Sequence, residues 1–555
     1  MNSLHLNKNI ALFCVLFIGF SFINLKSNAQ VVYENPTNPV YKYLSRQAQK
    51  GNIAFNDLIQ PVSRKQIASL LTTLQDSSVK LTTTEQKELA FYLQEFSEFS
   101  ANAKDTTTFF KKDQADRWRF LSVNKDGFLL RGDPALTFET YQGRNKSVAR
   151  VGTGLTFWGH AGKHISFQFY FQDITDRGKG IDSTRIFTPE TGIIRTANVN
   201  PNAKTVNYSD FRGNITYAWE NGAISFGKDQ LLWGYGQGGR LVLSDKSPAY
   251  PNIRLDYQPL KWLRFNYIHA WLNSALIDSA RSYDKGNALY GTNREIYIPK
   301  FFASHTLSFI PVKGLDLSVG ESMVYSDNLD VGYLIPVMFF KAYDQYQSRY
   351  KLSTGGNSQF FFSVSSRNHL PKTHLYASLF IDEIRTGAIF NAEKNRNQIG
   401  YSLGASVTDV LVPYLTLGGE YSRINPYVYN NLIPAQTYTN QSYALGDWIG
   451  QNADRVTAWV NYTPIPRMVA SFQFTAIRKG RDGDLFDQYW AEPQAKFLKE
   501  GPVETQKQYL FEVNYQLLNK LYVKTSFMHQ DGVIKPALQT SAVPNEFKFG
   551  VSYGF

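Results

Sequence analysis

The sequence predicts an all-β protein: a transmembrane antiparallel outer-membrane β-barrel of about 18 strands, preceded by a short N-terminal periplasmic helical segment. Three observations predict it. Segments with a strict two-residue period recur from Gly127 to the last residue. Aromatics make up 15% of the chain, with 40 Phe and 34 Tyr, at a mean hydropathy of only −0.32. The chain opens with an export signal, yet beyond it no apolar run approaches the roughly 18 residues of a spanning helix. Aromatic girdles and a lipid-facing row around a polar lumen account for the composition.

MNSLHLNKNIALFCVLFIGFSFINLKSNAQ has a basic start at Lys8, an apolar run from Ile10 to Ile23 and small residues at Ser27 and Ala29. It reads as a signal peptide over residues 1–29, cut before Gln30. Cys14, the only cysteine, leaves with it, so the mature chain has no disulfide, thiolate metal site or cysteine nucleophile. The longest later apolar run, VGYLIPVMFF (Val331–Phe340), carries Gly and Pro.

Residues 30–112 read as the helical segment. VYKYLSRQAQKG sets Val40, Tyr43, Leu44 and Ala48 on one face before Gly51. Ser63 and Gln66 resemble a capping box ahead of Ile67, Leu70, Leu71 and Leu74. A third helix opens in TTTEQ and carries Leu89, Tyr92, Leu93, Phe96 and Phe99. These helices make a small bundle whose plain reading is packing without chemistry.

Residues 113–555 read as the barrel, with strand patterns from Gly127 onward. HISFQFYFQD alternates Ile165, Phe167, Phe169 and Phe171 with polar residues and Tyr170, and QYLFEVNYQL alternates Tyr509, Phe511, Val513 and Tyr515 with Glu512, Asn514 and Gln516. QPLKW and PVKGL are tight turns, whereas other strands precede long polar loops, the asymmetry of an outer-membrane barrel. The chain ends in FKFGVSYGF, whose apolar row Phe547, Phe549, Val551, Tyr553 and Phe555 suits a closing strand facing lipid. Its Gly550-x-Ser552-x-Gly554 is no nucleophile elbow, because that motif needs a helix after the serine.

The formal charge is +12, of which +2 leaves with Lys8 and Lys26 and +2 falls on residues 30–112, so the barrel region carries +8. That bias is spread thinly and lacks the Lys/Arg stripe of a nucleic-acid binder; it suits acidic glycans or lipid phosphates. Catalysis finds little support. Asp382 and Glu383 are neighbours, facing opposite sides of a strand, and His160 and His164 on one strand lie too far apart to share a metal.

The most distinctive stretch is ISFGKDQLLWGYGQGGRLVLSDKSPAYPNIRLDYQPLKW. Its Gly234, Gly236 and Gly239 match G-x-G-x-x-G, but LVLSD is strand-like and offers no helix N-terminus to a pyrophosphate. Trp233-Gly234-x-Gly236, Leu241-x-Leu243-Ser244, Pro248 and Pro251 resemble the signature of the Wzi capsule-assembly family. LYASLFIDEI, GGEYSRINPYVY and LGDWIGQNADRVTAWVNYTP extend the resemblance. The helical N-terminus is similar to the branch of gliding bacteria that includes gliding motility protein RemB. Tyr235 stands where that family commonly has Pro.

The resemblance implies an 18-stranded outer-membrane barrel that binds or anchors capsular polysaccharide at the cell surface as a lectin, without catalysis or cofactor. The alternative is a channel or gliding-associated transport protein. The partners so expected are capsular or other acidic polysaccharide, outer-membrane lipids and the barrel-insertion machinery, with no nucleic acid, for a monomer. Sugar recognition wants aromatic faces and planar charged groups. The candidate ligand-binding residues are therefore Trp233, Tyr235, Arg240, Ser244 and Asp245; then Asp382, Glu383 and Arg385; then Asn452, Asp454 and Arg455. Each also has a structural reading, as a brace for a loop in the lumen.

Overall fold

The computed structural model describes residues 30–99, 106–113, 115–183, 185, 188–194, 204–286, 293–351, 355–391, 393–483, 496–499, 501–532 and 545–554. The signal peptide over 1–29 and the terminal Phe555 lie outside them.

Eighteen strands close one ring, each antiparallel to the next. They are β1 (Phe128–Gly143), β2 (Lys146–Ala161), β3 (Ile165–Lys179), β4 (Thr205–Trp219), β5 (Gly222–Asp229) and β6 (Tyr250–Leu260). Then come β7 (Leu263–Ile277), β8 (Tyr297–Val312), β9 (Leu315–Ser326), β10 (Asn357–Arg367), β11 (Thr373–Glu383) and β12 (Gln398–Thr408). The ring ends with β13 (Thr416–Ile424), β14 (Ala453–Tyr462), β15 (Met468–Lys479), β16 (Glu504–Leu518), β17 (Leu521–Gly532) and β18 (Asn545–Tyr553). Closure pairs β18 with β1, from Glu546 opposite Gly143 to Tyr553 opposite Leu136. The other half of that edge, Phe128–Gly132, pairs with Trp118–Lys125 of a preceding hairpin whose first strand is Thr106–Lys112. This hairpin straddles the expected boundary after Lys112.

The alternation is the predicted one. On β18, Phe547 and Phe549 stand exposed on the outer face, while Lys548 turns inward to meet Glu139 at 3.0 Å. On β3, Ile165, Phe169 and Phe171 are outward, and Ser166 and Gln168 accept from Val31 N and Tyr33 N inside. One expectation fails locally. His160 and His164 do not share a strand face: a turn at 162–164 separates β2 from β3, and His164 Nδ1 meets Ala218 O instead.

All connections at one end of the ring span two to seven residues; those at the other run to thirty. The helical segment closes the short-connection end. Its helices are α1 (Val40–Gln49), α2 (Arg64–Thr73) and α3 (Thr83–Glu95). Thr82 and Glu85 form a full capping box on α3, whereas Ser63 caps α2 one way, accepting from Gln66 N at 3.2 Å. The apolar faces meet in a core of Val40, Leu44, Ile67, Leu71, Leu89 and Tyr92 among others. The polar faces dock on the short turns. Gln49 Nε2 donates to Ser406 O at 2.7 Å, Lys313 Nζ to Gly51 O at 2.8 Å, and Arg467 N to Glu88 at 2.8 Å. Arg46 joins Glu85 at 2.5 Å and also pairs with Asp409.

The largest core cluster lies in the lumen. It combines Leu58 and Ile59 of the N-terminal segment with residues of connections 230–249 and 425–452 and with inward wall residues such as Phe302, Phe361 and Phe380. These two long connections fold into the barrel and fill it.

Candidate functional site

The connection 230–249 contains the first predicted cluster, and it descends far enough to meet the helical segment. Leu232 and Trp233 pair with Gln60 and Ile59, and Gly234 N donates to Leu58 O at 2.9 Å. Trp233 and Leu243 exchange backbone hydrogen bonds, folding the loop into a narrow hairpin. Its return limb is bound to 425–452: Tyr429 OH donates to Leu241 O at 2.7 Å, Tyr438 OH to Val242 O at 2.9 Å, and Ser244 N to Leu445 O at 2.7 Å.

A buried ion cluster pins the tip. Arg455 on β14 donates through Nη1 and Nη2 to Asp447, each at 2.8 Å, and Nη2 lies 3.4 Å from Glu420 on β13. Glu420 accepts from Gln237 N at 2.6 Å, Gly238 N at 3.1 Å and Tyr376 OH at 2.6 Å. Trp448 Nε1 adds a bond to Gly238 O at 2.8 Å. A Cβ on Gly238 would stand 2.5 Å from Arg455 Nε, and one on Gly239 2.6 Å from the Asp447 carboxylate. The glycines are needed because charged groups approach the loop backbone that closely.

The predicted residues thus have different surroundings. Trp233 is 2% exposed and packs edge-to-face on Phe361 at 5.9 Å. Tyr235 is buried beside His374 and Tyr376, each 6.1 Å away. Ser244 Oγ donates to Gly446 O at 2.7 Å, joining the two loops, and Asp245 is exposed. Arg240 is half-buried; Nη1 donates to Gly234 O at 2.6 Å, and among the described residues it makes no ion pair. Burial pushes its guanidinium below the usual range, against the pull of Asp57 and Asp245.

Asp382 accepts from Gln359 Nε2 at 3.2 Å and Tyr429 N at 2.6 Å, bracing 425–452. Glu383 lies 3.5 Å from Arg396, and Arg385 donates to Lys394 O at 3.3 Å. The third cluster is divided by the wall. Arg455 faces the lumen, whereas Asp454 faces outward, 2.5 Å from Arg478 and bonded by Tyr421 OH at 3.1 Å. Asn452 donates to Arg481 O at 2.8 Å and accepts from Leu498 N at 3.1 Å.

What the sequence reading missed is a cavity of about 240 Å³ between α1, the 230–249 loop and the wall from β10 to β15. Five cations line it (Lys42, Arg46, Arg240, Arg367, Arg467) against two carboxylates, Asp57 and Glu88. Asp57 takes Arg367 at 2.7 Å, and Glu88 accepts from Tyr414 OH. Tyr235, Tyr376 and Trp459 supply aromatic surface. Lys42 and Arg46 were legible only as the polar side of an amphipathic helix; nothing local says that this side faces a lumen.

No curated protein matches this chain. Among solved structures, that of Wzi from Escherichia coli, described as a carbohydrate-binding β-barrel of the outer membrane involved in group 1 capsule assembly, is similar at 14% identity and a TM-score of 0.57. The match covers 95% of this chain and 100% of that one. OpdK of Pseudomonas aeruginosa, solved with vanillate, matches at 9% identity and a TM-score of 0.43, over 76% of this chain and 98% of its own. OccK8 (OprE) of the same organism matches at 10% and 0.43, over 80% and 99%. The sequence model for capsule assembly protein Wzi matches residues 190–535. That span is well over half of the chain and includes both inward loops, so this outer-membrane β-barrel belongs to the Wzi capsule assembly family.

Proposed function

We propose that this protein is a non-enzymatic lectin of capsule assembly, which binds an acidic polysaccharide and anchors it to the outer membrane. The observation that carries the reading to residues is Arg240: a forked cation that makes no ion pair among the described residues, held by the inward loop beside Tyr235 in an aromatic-lined cavity. Arginine pairs bidentately with a carboxylate, and an aromatic face covers the apolar side of a sugar ring. The cavity is smaller than the roughly 300–1,000 Å³ of sites that enclose a whole drug-sized ligand, so it suits one residue of a polymer. The description of the Escherichia coli relative as carbohydrate-binding supports the same reading. The helical segment then lies on the periplasmic side, with the short turns. A lumen filled by two loops and a helical segment favours holding a polymer over passing solutes, against the transport alternative.

The test is capsule retention in cells carrying equal amounts of inserted protein. Arg240→Ala should weaken polysaccharide binding roughly ten- to hundred-fold, as expected for a charge-assisted hydrogen bond. Arg240→Lys should recover only part, because the fork is lost. Binding that is unchanged in both variants, or insensitive to salt, would remove the cavity from the site. Steady ion conductance of the wild-type protein in planar bilayers would revive the channel.

A further inference from the structure

The longest apolar run of the mature chain, Val331–Phe340, belongs to the β9–β10 connection, and unlike 230–249 and 425–452 its described residues contribute nothing to the lumen core. Ile268 and Ala270 on β7, Phe302 on β8 and Val324 on β9 point inward into the lumen core. Alternation therefore puts Tyr267, His269, Phe301, His305, Glu321 and Tyr325 on the outer face of the wall. On a membrane barrel that face meets lipid, where a carboxylate and two imidazoles are costly. Here they are covered. Tyr333 and Phe340 pack in one cluster with Tyr267, Phe301, Met323 and Tyr325. Tyr267 OH donates to Tyr333 O at 2.8 Å, and the Phe340 ring sits 4.6 Å from that of His305. Glu321 accepts from the first two amides of α4 (Phe340–Lys351), Phe340 N at 2.6 Å and Lys341 N at 3.3 Å, and lies 3.2 Å from His305 Nε2. Glu321 is 3% exposed and His269 0%.

The covering segment then turns an apolar surface outward. Val331, Ile335, Val337 and Phe339 are exposed, Val337 at 79%. The Phe339 ring is 6.1 Å from that of Phe360, and the patch runs on into the bare apolar residues Leu317, Val319 and Phe362 of the wall. An exposed apolar row of this extent marks an interaction surface. We propose that residues 331–351 of the β9–β10 connection lie against the outside of the barrel within the membrane leaflet on the long-connection side, and that lipid acyl chains cover Val331, Ile335, Val337 and Phe339. Glu321 is the staple that fastens this element to the wall, and the element in turn keeps Glu321, His305 and His269 out of hydrocarbon.

The test uses the full chain in phosphatidylcholine vesicles whose acyl chains carry bromine, with an environment-sensitive fluorophore on a single introduced cysteine. Val337→Cys and, as a second position, Phe339→Cys should be quenched by brominated chains about as strongly as Phe362→Cys on the bare wall, and not by iodide in the water. Asp245→Cys, in the inward loop, should show the reverse. Heat-modifiable mobility checks insertion of each variant. Quenching of Val337→Cys and Phe339→Cys by iodide would overturn the proposal in favour of a solvated loop. Protection from both quenchers would overturn it in favour of a protein partner or a second copy.

Discussion

Removing the Arg455 side chain tests whether the ion cluster holds the lumen closed. Arg455 is fully buried and is the only cation bonded to Asp447 among the described residues, while Glu420 carries two loop amides and one tyrosine hydroxyl. Arg455→Ala leaves two buried carboxylates without the countercharge they share. Breaking such a pair costs about 3–5 kcal/mol, which multiplies the loop-open population roughly a hundred- to several-thousand-fold. The wall is not the element that yields, because its ladders continue on both sides of β14. The loop 230–249 is the weaker unit, and its release should appear as protease cleavage between Gln230 and Ala249 and as flickering conductance in planar bilayers. Heat-modifiable mobility should persist. A triple variant, Arg455→Met with Asp447→Leu and Glu420→Gln, removes all the charges and keeps an acceptor for Gln237 N, so it should restore much of the protection. If Arg455→Ala is inserted, uncut and silent, the cluster does not hold the loop and the argument fails.

The remaining tests concern the helical segment. Burial alone would raise the Glu95 carboxyl, but the guanidinium groups of Arg119 and Arg64 outweigh it and hold it down to about 2. Its contribution is therefore present above the unfolded value near 4.3 and is lost as pH falls from there toward 2. Proteolytic protection of α3 should decline over that window while the ring stays intact; protection that is flat down to pH 2 would refute the assignment. Deleting residues 31–100 should leave a barrel that still inserts, because the ring ladders do not include the segment, but with raised conductance through the short-turn end. Loss of all inserted protein would show that the helices belong to the barrel's own fold.

The ring was legible because period two is local: five residues of FKFGV suffice to say which side faces lipid. The 230–249 loop was legible as a distinctive stretch, and its glycines as a tight fold, but their cause was not. Gly238 and Gly239 answer to Arg455 and Asp447, more than 200 residues away. The third cluster shows a rule applied unevenly. Adjacent residues on a strand face opposite sides, which argued against pairing Asp382 with Glu383 and applies equally to Asp454 and Arg455. His160 and His164 lie on different elements because the Gly162 turn interrupts what reads in sequence as one strand. The cavity could not be foreseen, because it is made by elements that meet only once the barrel closes around them.

The shared edge of β1 bears on how that closure ends. β18 slides, if at all, in steps of two, since a step of one would turn Phe547 and Phe549 inward. A step of two toward the short-turn end sets Tyr553 against Pro134, which has no N–H to give. A step of four sets it against Gly132, whose edge Leu121 already occupies. The hairpin ahead of β1 is thus an end stop that keeps the final seam from slipping toward the short-turn end.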